Sequence, residues 1–563
     1  MIKLKNVSFT YADAPNKALN DLTVSIPKGS FVAIVGDNGA GKSTFCKLLN
    51  GIIPHFIDGD LTGAIFLEGE EIRQKSPATI AKKIGYVYQD FENQIIRPKV
   101  LDDASYGLLN EGEKNYEAMT LEVLATLDLA HLADEYVWQL SGGQKHLLAL
   151  AGVLVMAPEI IVLDEPVAQL DPFHANKIYE NLAYLNQKLG KTILVIEHNS
   201  EFIGRYCDSV LLMKEKQISW FLPTKMALQK VEELINAGVY PPQVTLLAHE
   251  MIKKGHQKSQ LLPINQTEAL DFMSGVPLYS SRPSKAPLDQ SKRRMPFIEF
   301  KKMTITYPRI NEQPKKVIDQ LDLTIRQGEK IAIIGNNGAG KSSLMKLCVG
   351  LIKPTQGQMI LEQLDGLQMK TEEIAERIGY VYQNAENMFI EDSIEKDIAF
   401  SLKARGVKDY KKRTQRLLEQ FDLIEIRNRD GRLLSGGQMR RASLAIGISL
   451  EPTCLLLDEP TASLDLATRK KITQTLKSLT TAIETIVIAT HDMQLVCEWA
   501  ERIIVMNNGQ IVGDGTREEV FNNPILLKQA GIQIPELVAL SRKLGSDAIF
   551  SIPQWMSCLE EVK

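Results

Sequence analysis

The chain has 563 residues, 44% apolar and 24% charged, the composition of an ordinary folded protein rather than a disordered or low-complexity one. A formal net charge of −4 gives no support to a nucleic-acid binder, and no apolar run approaches the ~20 residues that span a bilayer. The six cysteines (46, 207, 348, 454, 497 and 558) are scattered without a C-x-x-C pair, which argues against a zinc or iron–sulfur site and for reduced, buried thiols of a cytosolic chain.

Met1 leads straight into the alternating segment Ile2-Lys3-Leu4, so a strand rather than a signal peptide is expected there. The run Phe31–Val35 reads as a buried strand feeding Gly36-Asp37-Asn38-Gly39-Ala40-Gly41-Lys42-Ser43-Thr44, which fits the phosphate-loop pattern G-x-x-x-x-G-K-[ST]. Gly36, Gly39 and Gly41 let successive backbone N–H groups turn inward around phosphates. A helix starting near Lys42, with Phe45, Leu48 and Leu49 on its apolar face, points its positive end at them. Lys42 would reach the β- and γ-phosphates, and the Ser43 hydroxyl would hold Mg²⁺. Leu140-Ser141-Gly142-Gly143-Gln144 comes next. Then Ile160–Leu163, a second buried strand, ends in Asp164-Glu165-Pro166. Asp164 stands where a carboxylate can hold the water shell of Mg²⁺, and Glu165 where one can polarise an attacking water.

Ala237-Gly238-Val239-Tyr240-Pro241 precedes a Pro-, Ser- and Lys-rich stretch, about 275–294, that reads as a linker. The whole series then repeats. Ile331–Ile334 leads into Gly335-Asn336-Asn337-Gly338-Ala339-Gly340-Lys341-Ser342-Ser343, with Leu344 and Leu347 on the next helix. Leu434-Ser435-Gly436-Gly437-Gln438 comes after it, then Cys454–Leu457 with Asp458-Glu459-Pro460, and finally Ala530-Gly531-Ile532-Gln533-Ile534-Pro535. The same motifs in the same order at a nearly constant interval are an internal duplication. Strands alternating with helices, and ligand groups at strand ends, imply an α/β fold with a mostly parallel sheet in each half.

Leu-Ser-Gly-Gly-Gln between a phosphate loop and an acidic strand end resembles the signature of ATP-binding-cassette (ABC) ATPases, and the likeness covers nearly the whole chain as two cassettes. The resemblance implies two α/β P-loop domains in tandem. Each would carry a mostly parallel core sheet, an antiparallel β subdomain, a helical signature subdomain and a small C-terminal appendage. Expected boundaries are 1–230 and 297–523 for the cassettes, 231–274 and 524–563 for the appendages, and 275–296 for the linker.

ATP and Mg²⁺ are the implied cofactors. Gln89 and Gln383, each in Tyr-Val-Tyr-Gln, match the family's glutamine loop, which senses the metal together with Ser43, Asp164, Ser342 and Asp458. His198 and His491 match the histidine that contacts the γ-phosphate and stand with Glu165 and Glu459 as the catalytic set. Asp171 and Asp465 match a loop joining the two sites, and Tyr11 and Tyr307 an aromatic stacked on adenine. Cassettes of this family pair head to tail. One site would combine Lys42, Asp164, Glu165 and His198 with the signature Ser435-Gly436-Gly437-Gln438. The other would combine Lys341, Asp458, Glu459 and His491 with Ser141-Gly142-Gly143-Gln144. Neither lacks a catalytic residue, so two hydrolysing sites are expected in an intramolecular cassette dimer.

Gln89-Asp90-Phe91-Glu92-Asn93-Gln94 and Gln383-Asn384-Ala385-Glu386-Asn387-Met388 resemble the Gln-Asn-Pro-x-x-Gln segment of energy-coupling-factor ATPases, with Phe91 and Ala385 in place of the proline and Met388 in place of the second glutamine. Val239-Tyr240-Pro241-Pro242-Gln243-Val244 is similar to that group's C-terminal extension. This resemblance implies a prokaryotic peripheral protein on the cytoplasmic face of the membrane, serving import of a vitamin, its precursor or a metal ion. Its partners would be an integral membrane coupling protein and a small membrane substrate-binding protein, gripped near Gln89–Ile95 and Gln383–Phe389, with no nucleic acid. Two alternatives stay open: the tandem ATPase of a sugar-type importer, and a soluble tandem-cassette protein acting on ribosomes.

Overall fold

Phe31–Val35, Ile160–Asp164 and Thr192–Ile196 are buried at every position. Strands without a polar face belong in the interior of a sheet covered on both sides. In the computed structural model they lie side by side in a six-stranded sheet ordered Gln217–Pro223, Ser209–Lys214, Phe31–Val35, Thr192–Ile196, Ile160–Asp164, Ile84–Val87. Neighbours are parallel except Gln217–Pro223, which closes one edge antiparallel. The structure describes residues 1–559 apart from 13, 168–169, 171, 259–260, 279–293, 310–311, 463, 465 and 481–482. The chain divides into two compact units, Met1–Gly275 and Val276–Lys563. Most of the stretch expected as the linker, 279–293, lies outside the described residues.

Side-chain alternation along the central strands builds two cores per unit. Phe31, Ala33, Val35, Ile161, Leu163, Ile193 and Val195 face helices. Val32, Ile34, Ile160, Val162, Leu194 and Ile196 face an antiparallel sheet and the helix Lys42–Leu49, whose Phe45, Leu48 and Leu49 are buried among them. That second sheet runs Leu19–Ile26, Ile2–Tyr11, Gly59–Leu67, Glu70–Glu71. A slip of one residue would exchange the two faces of a strand, so burial on both sides pins the register.

The register decides where chemistry can occur. Ile34 pairs with Ile196, Asp164 with Ile196, and Val87 with Leu163. The carboxyl ends of four strands are therefore level, and the residues after them share one edge, where open α/β sheets bind ligands.

The second unit repeats the plan. Its six-stranded sheet runs Ile378–Val381, Cys454–Asp458, Thr485–Ala489, Lys330–Ile334, Arg502–Asn507, Gln510–Thr516, with Asp458 and Ile333 both level with Ala489. Its antiparallel sheet runs Glu312–Arg326, Pro296–Arg309, Gln356–Leu361, Leu364–Asp365. Short helices end each unit: Val231–Asn236, Gln243–Lys253 and Gln266–Phe272 in the first; Pro524–Gln529, Glu536–Lys543 and Ile552–Leu559, with Trp555 fully buried, in the second. Among the described residues no helix is long and apolar enough to cross a membrane. All six cysteines are buried and free.

Candidate functional site

Each phosphate loop leaves its strand through a glycine that no other residue can replace without movement. Gly36 has φ +146°, and a Cβ built on it would come within 2.1 Å of the Met213 carbonyl oxygen; Gly335 repeats this at φ +153° and 2.3 Å from Met506. The loop then delivers Lys42 and Lys341 as the first residues of their helices. Both lysines are buried and fold back over the loop. Lys42 Nζ donates to the carbonyls of Gly36 and Asp37 at 2.7 and 3.0 Å, and Lys341 Nζ to those of Gly335 and Asn336 at 2.6 and 3.2 Å. Tyr11 sits beside the first loop, its hydroxyl 2.8 Å from Thr44 Oγ1 and its ring edge-on to Phe9. Tyr307 in the second unit is exposed.

The acidic strand ends lie opposite the lysines. Asp164 Oδ2 accepts from the Tyr86 hydroxyl at 3.2 Å, while its buried Oδ1 has no hydrogen-bond partner. Asp458 accepts from Tyr380 and from Ser342 Oγ, each at 3.2 Å. Burial raises the pKa of both aspartates, with the loop serine and the tyrosine pulling the other way. Mg²⁺ prefers oxygen ligands and keeps several waters. A buried carboxylate beside a loop serine, with one oxygen unpartnered at Asp164 and one already bonded to that serine at Asp458, fits that donor chemistry, so Ser43 with Asp164 and Ser342 with Asp458 are the groups that would hold the ion. Among the described residues no group of three or more His, Cys, Asp or Glu side chains forms an all-protein metal site.

Glu165 and Glu459 adopt the left-handed conformation, φ +51° and +46°, a strained state for a non-glycine residue that clusters at functional sites. Their N–H groups donate to Ile196 and Ala489 at 3.1 and 2.8 Å, anchoring each turn to the neighbouring strand. Glu165 then accepts from Gln89 Nε2 at 2.9 Å and meets His198 Nε2 at 3.0 Å. Burial alone would raise its pKa, but His198, Lys42 and Gln89 outweigh it and hold the carboxyl below its ordinary value.

The second unit reaches the same result with other contacts. Glu459 accepts from Thr490 Oγ1 at 3.0 Å and from the His491 N–H at 3.3 Å, and His491 Nδ1 lies 3.0 Å away as its ion-pair partner. Burial opposes the pair, yet the net shift lowers Glu459 and raises His491. Gln383 makes no side-chain hydrogen bond to Glu459 among the described residues.

The motif reading misses the partners around these groups. Tyr86 and Tyr380 hold the aspartates, and Glu197 accepts the N–H groups of His198 and Asn199 at 2.7 Å each where the second unit has Thr490. The only available signal was that both tyrosines recur two residues before Tyr88 and Tyr382. The signature residues form a separate feature. Ser141 and Ser435 start the helices Gly142–Leu154 and Gly436–Gly447 as capping boxes with Gln144 and Gln438. Within its own unit, no described hydrogen bond joins either signature to the lysine, aspartate or glutamate. Asp171 and Asp465 lie outside the described residues.

Each appendage touches its phosphate loop through one glycine. A Cβ on Gly238 (φ +70°) would come within 2.1 Å of Asp37 Oδ1, and one on Gly531 (φ +63°) within 2.3 Å of Asn336 Nδ2. Gly238→Ala therefore forces Asp37 to rotate and adds left-handed strain of roughly 1 kcal/mol. The expected result is a KM for ATP raised about twofold to tenfold, partly restored by adding Asp37→Ala, as checked by steady-state phosphate release.

A family model described as ABC transporter matches residues 19–168 and 318–462. A Methanosarcina acetivorans protein, provisionally named an ABC transporter ATP-binding protein, is 31% identical over 97% of this chain and 91% of its own length. A Streptococcus mutans protein of the same provisional name is 33% identical over 97% of each chain. Among solved structures, CbiO1 from Clostridium perfringens, described as part of the ABC transporter complex CbiONQ, is 32% identical over 42% of this chain and 93% of that one, with a TM-score of 0.38.

Proposed function

Because the chain belongs to the ABC transporter family, as an ATP-binding component with two cassettes in tandem, we propose that it is the ATP-hydrolysing subunit of an energy-coupling-factor importer for a vitamin, its precursor or a metal ion. The observation that carries this reading is an exposed apolar surface beside each glutamine loop. Ile96 and Trp138 are 66% and 65% exposed in the first unit, and Ile390 and Leu433 are 63% and 84% exposed in the second. Each surface is built rather than frayed. Asp103 Oδ1 accepts the N–H groups of Ile96 and Arg97 at 2.8 Å, and Asp397 Oδ1 those of Ile390 and Glu391 at 2.9 Å. Tyr136 stacks on Trp138 with centroids 4.5 Å apart, and the backbone of Lys99 bridges to Tyr136. Large apolar side chains held in water by a buried carboxylate support a docking role for a membrane partner.

In this reading Lys42 and Lys341 exchange the loop carbonyls for the β- and γ-phosphates of ATP. Glu165 and Glu459, held ionised, orient the attacking water, and His198 and His491 contact the γ-phosphate. When bound, Mg²⁺ supplies further neutralisation of phosphate charge. Gln89, hydrogen-bonded to Glu165 and directly preceding the docking segment, links occupancy of the site to the partner surface.

Purification of the tagged chain from its host in mild detergent should bring down two small integral membrane proteins. Exposed Trp138→Asp with Ile96→Asp should release them while leaving ATP binding in place. Recovery of ribosomal subunits, with the chain absent from membranes, would overturn the transport reading.

A further inference from the structure

The two glutamine loops are fastened to their signature helices by different chemistry. In the second unit Arg440, 4% exposed on the helix Gly436–Gly447, donates from Nη1 to the Tyr382 carbonyl at 2.9 Å and from Nη2 to the Gln383 carbonyl at 2.7 Å. Its guanidinium stays charged, because burial pushes its pKa down only to about 10. It thereby clamps the backbone of Gln383 itself. The corresponding helix position of the first unit holds His146, 1% exposed, with no hydrogen-bond partner on either ring nitrogen. Its ring packs on Phe91 with centroids 4.7 Å apart. Burial holds the imidazole neutral, with its pKa pushed down to about 4. Phe91 stands where the second unit has Ala385, so the cation with a small residue has been exchanged for an aromatic with an uncharged ring. A peripheral Lys145–Glu92 ion pair at 2.7 Å supplements the stack.

The consequence shows at the glutamine side chains. Gln89, on the loop without the clamp, bonds to Glu165, whereas Gln383, on the clamped loop, does not bond to Glu459. Hydrogen bonds from a charged donor to a backbone carbonyl are directional and stronger than the contact of a ring pair, which fixes no backbone atom. The second loop is therefore held to its signature helix by its backbone, whereas the first is held by a residue of its own segment, Gln94, whose Oε1 accepts the Tyr88 N–H at 3.2 Å and whose Nε2 donates to the Tyr86 carbonyl at 3.3 Å.

We propose that Arg440 is a positioning residue that fixes the Gln383 loop to the signature helix for turnover at the Glu459 site, and that the Phe91–His146 packing, with Gln94 holding Tyr86 and Tyr88 but not Gln89, leaves the Glu165 site without that charged clamp, making the two sites kinetically unequal. The inference rests on the assignment of Glu165 and Glu459 as the water-orienting groups.

The test uses the full chain carrying Glu165→Gln, so that turnover reports the Glu459 site alone. Adding Arg440→His should lower kcat about tenfold or more with KM for ATP within about twofold, and should also lower the thermal midpoint. Adding Ala385→Phe to that variant recreates the packing of the first unit and should restore the thermal midpoint while kcat stays low. Arg440→Lys should keep an intermediate kcat. If kcat returned together with the midpoint, or never fell, Arg440 would be a packing residue and the inference would be overturned. The Glu165→Gln/Glu459→Gln chain serves as the blank; turnover there would overturn the assignment of the glutamates, and the inference with it.

Discussion

Replacing Glu165 and Glu459 together with Gln leaves ATP binding intact and slows hydrolysis by about 10²–10⁴-fold, the usual cost of losing a positioned general base. The exchange is nearly isosteric, so the left-handed turns that present these side chains persist, and calorimetric titration should return an ATP affinity close to that of the parent chain. The loss is the negative charge that His198 and Lys42 hold in place at one site and His491 and Lys341 at the other. That charge also sets a pH dependence. Both carboxyls lie below the ordinary value of 4.5. A base with a depressed pKa is lost only as pH falls through the depressed value, so in kcat, which reports the enzyme with ATP bound, the limb that the Glu165→Gln and Glu459→Gln exchanges remove should lie below pH 4.5. A double variant with near-normal turnover contradicts this assignment.

Gly36→Ala, and equally Gly335→Ala, should abolish measurable ATP binding at the altered loop and destabilise its unit by on the order of 3 kcal/mol. The new methyl carbon would overlap the carbonyl oxygen of Met213 or Met506, at 2.1 and 2.3 Å, and that oxygen belongs to a central strand of the sheet. Neither partner can yield cheaply. The loop must back away from the strand, which carries the carbonyls of Gly36 and Asp37 away from Lys42 and displaces the N–H groups that would surround the phosphates. Gly39 and Gly338 make the control, because a Cβ there meets nothing within 4 Å. Although both have φ near +80°, Gly39→Ala should cost the fold only the left-handed strain, roughly 1 kcal/mol. Thermal melts of the four single variants, with nucleotide titration of the Gly36 and Gly335 variants, decide the matter; equal loss of thermal midpoint in Gly36→Ala and Gly39→Ala would remove the steric explanation.

Phe31–Val35, Ile160–Leu163 and Cys454–Leu457 are readable as central strands because an unbroken apolar run of that length has no polar face to show to water. Lys42, Asp164, Glu165 and His198 are readable as one set because each comes at the end of such a strand or of a glycine-rich turn, and parallel strands in register bring their C-terminal residues to one edge. Tyr136 and Trp138 were not readable as a surface. Nothing local distinguishes an exposed aromatic from a buried one, and their exposure depends on Asp103 pinning the segment that runs beside them. Ala385 and Phe91 look like simple departures from a motif until the signature helix is packed against them.

By itself the amino-acid sequence determined that this protein is a duplicated α/β ATP-binding chain of the ABC transporter family, since phosphate loops and acidic strand ends are local chemistry written in contiguous residues. Tertiary structure alone decided how each site is held. The tyrosines that fix the aspartates lie 78 residues from them along the chain, and His146 and Arg440 reach the glutamine loops from a helix more than fifty residues further on. Contacts of that range depend on which faces meet when sheets and helices pack, and two copies with the same motifs meet there with a neutral ring in one and a buried cation in the other.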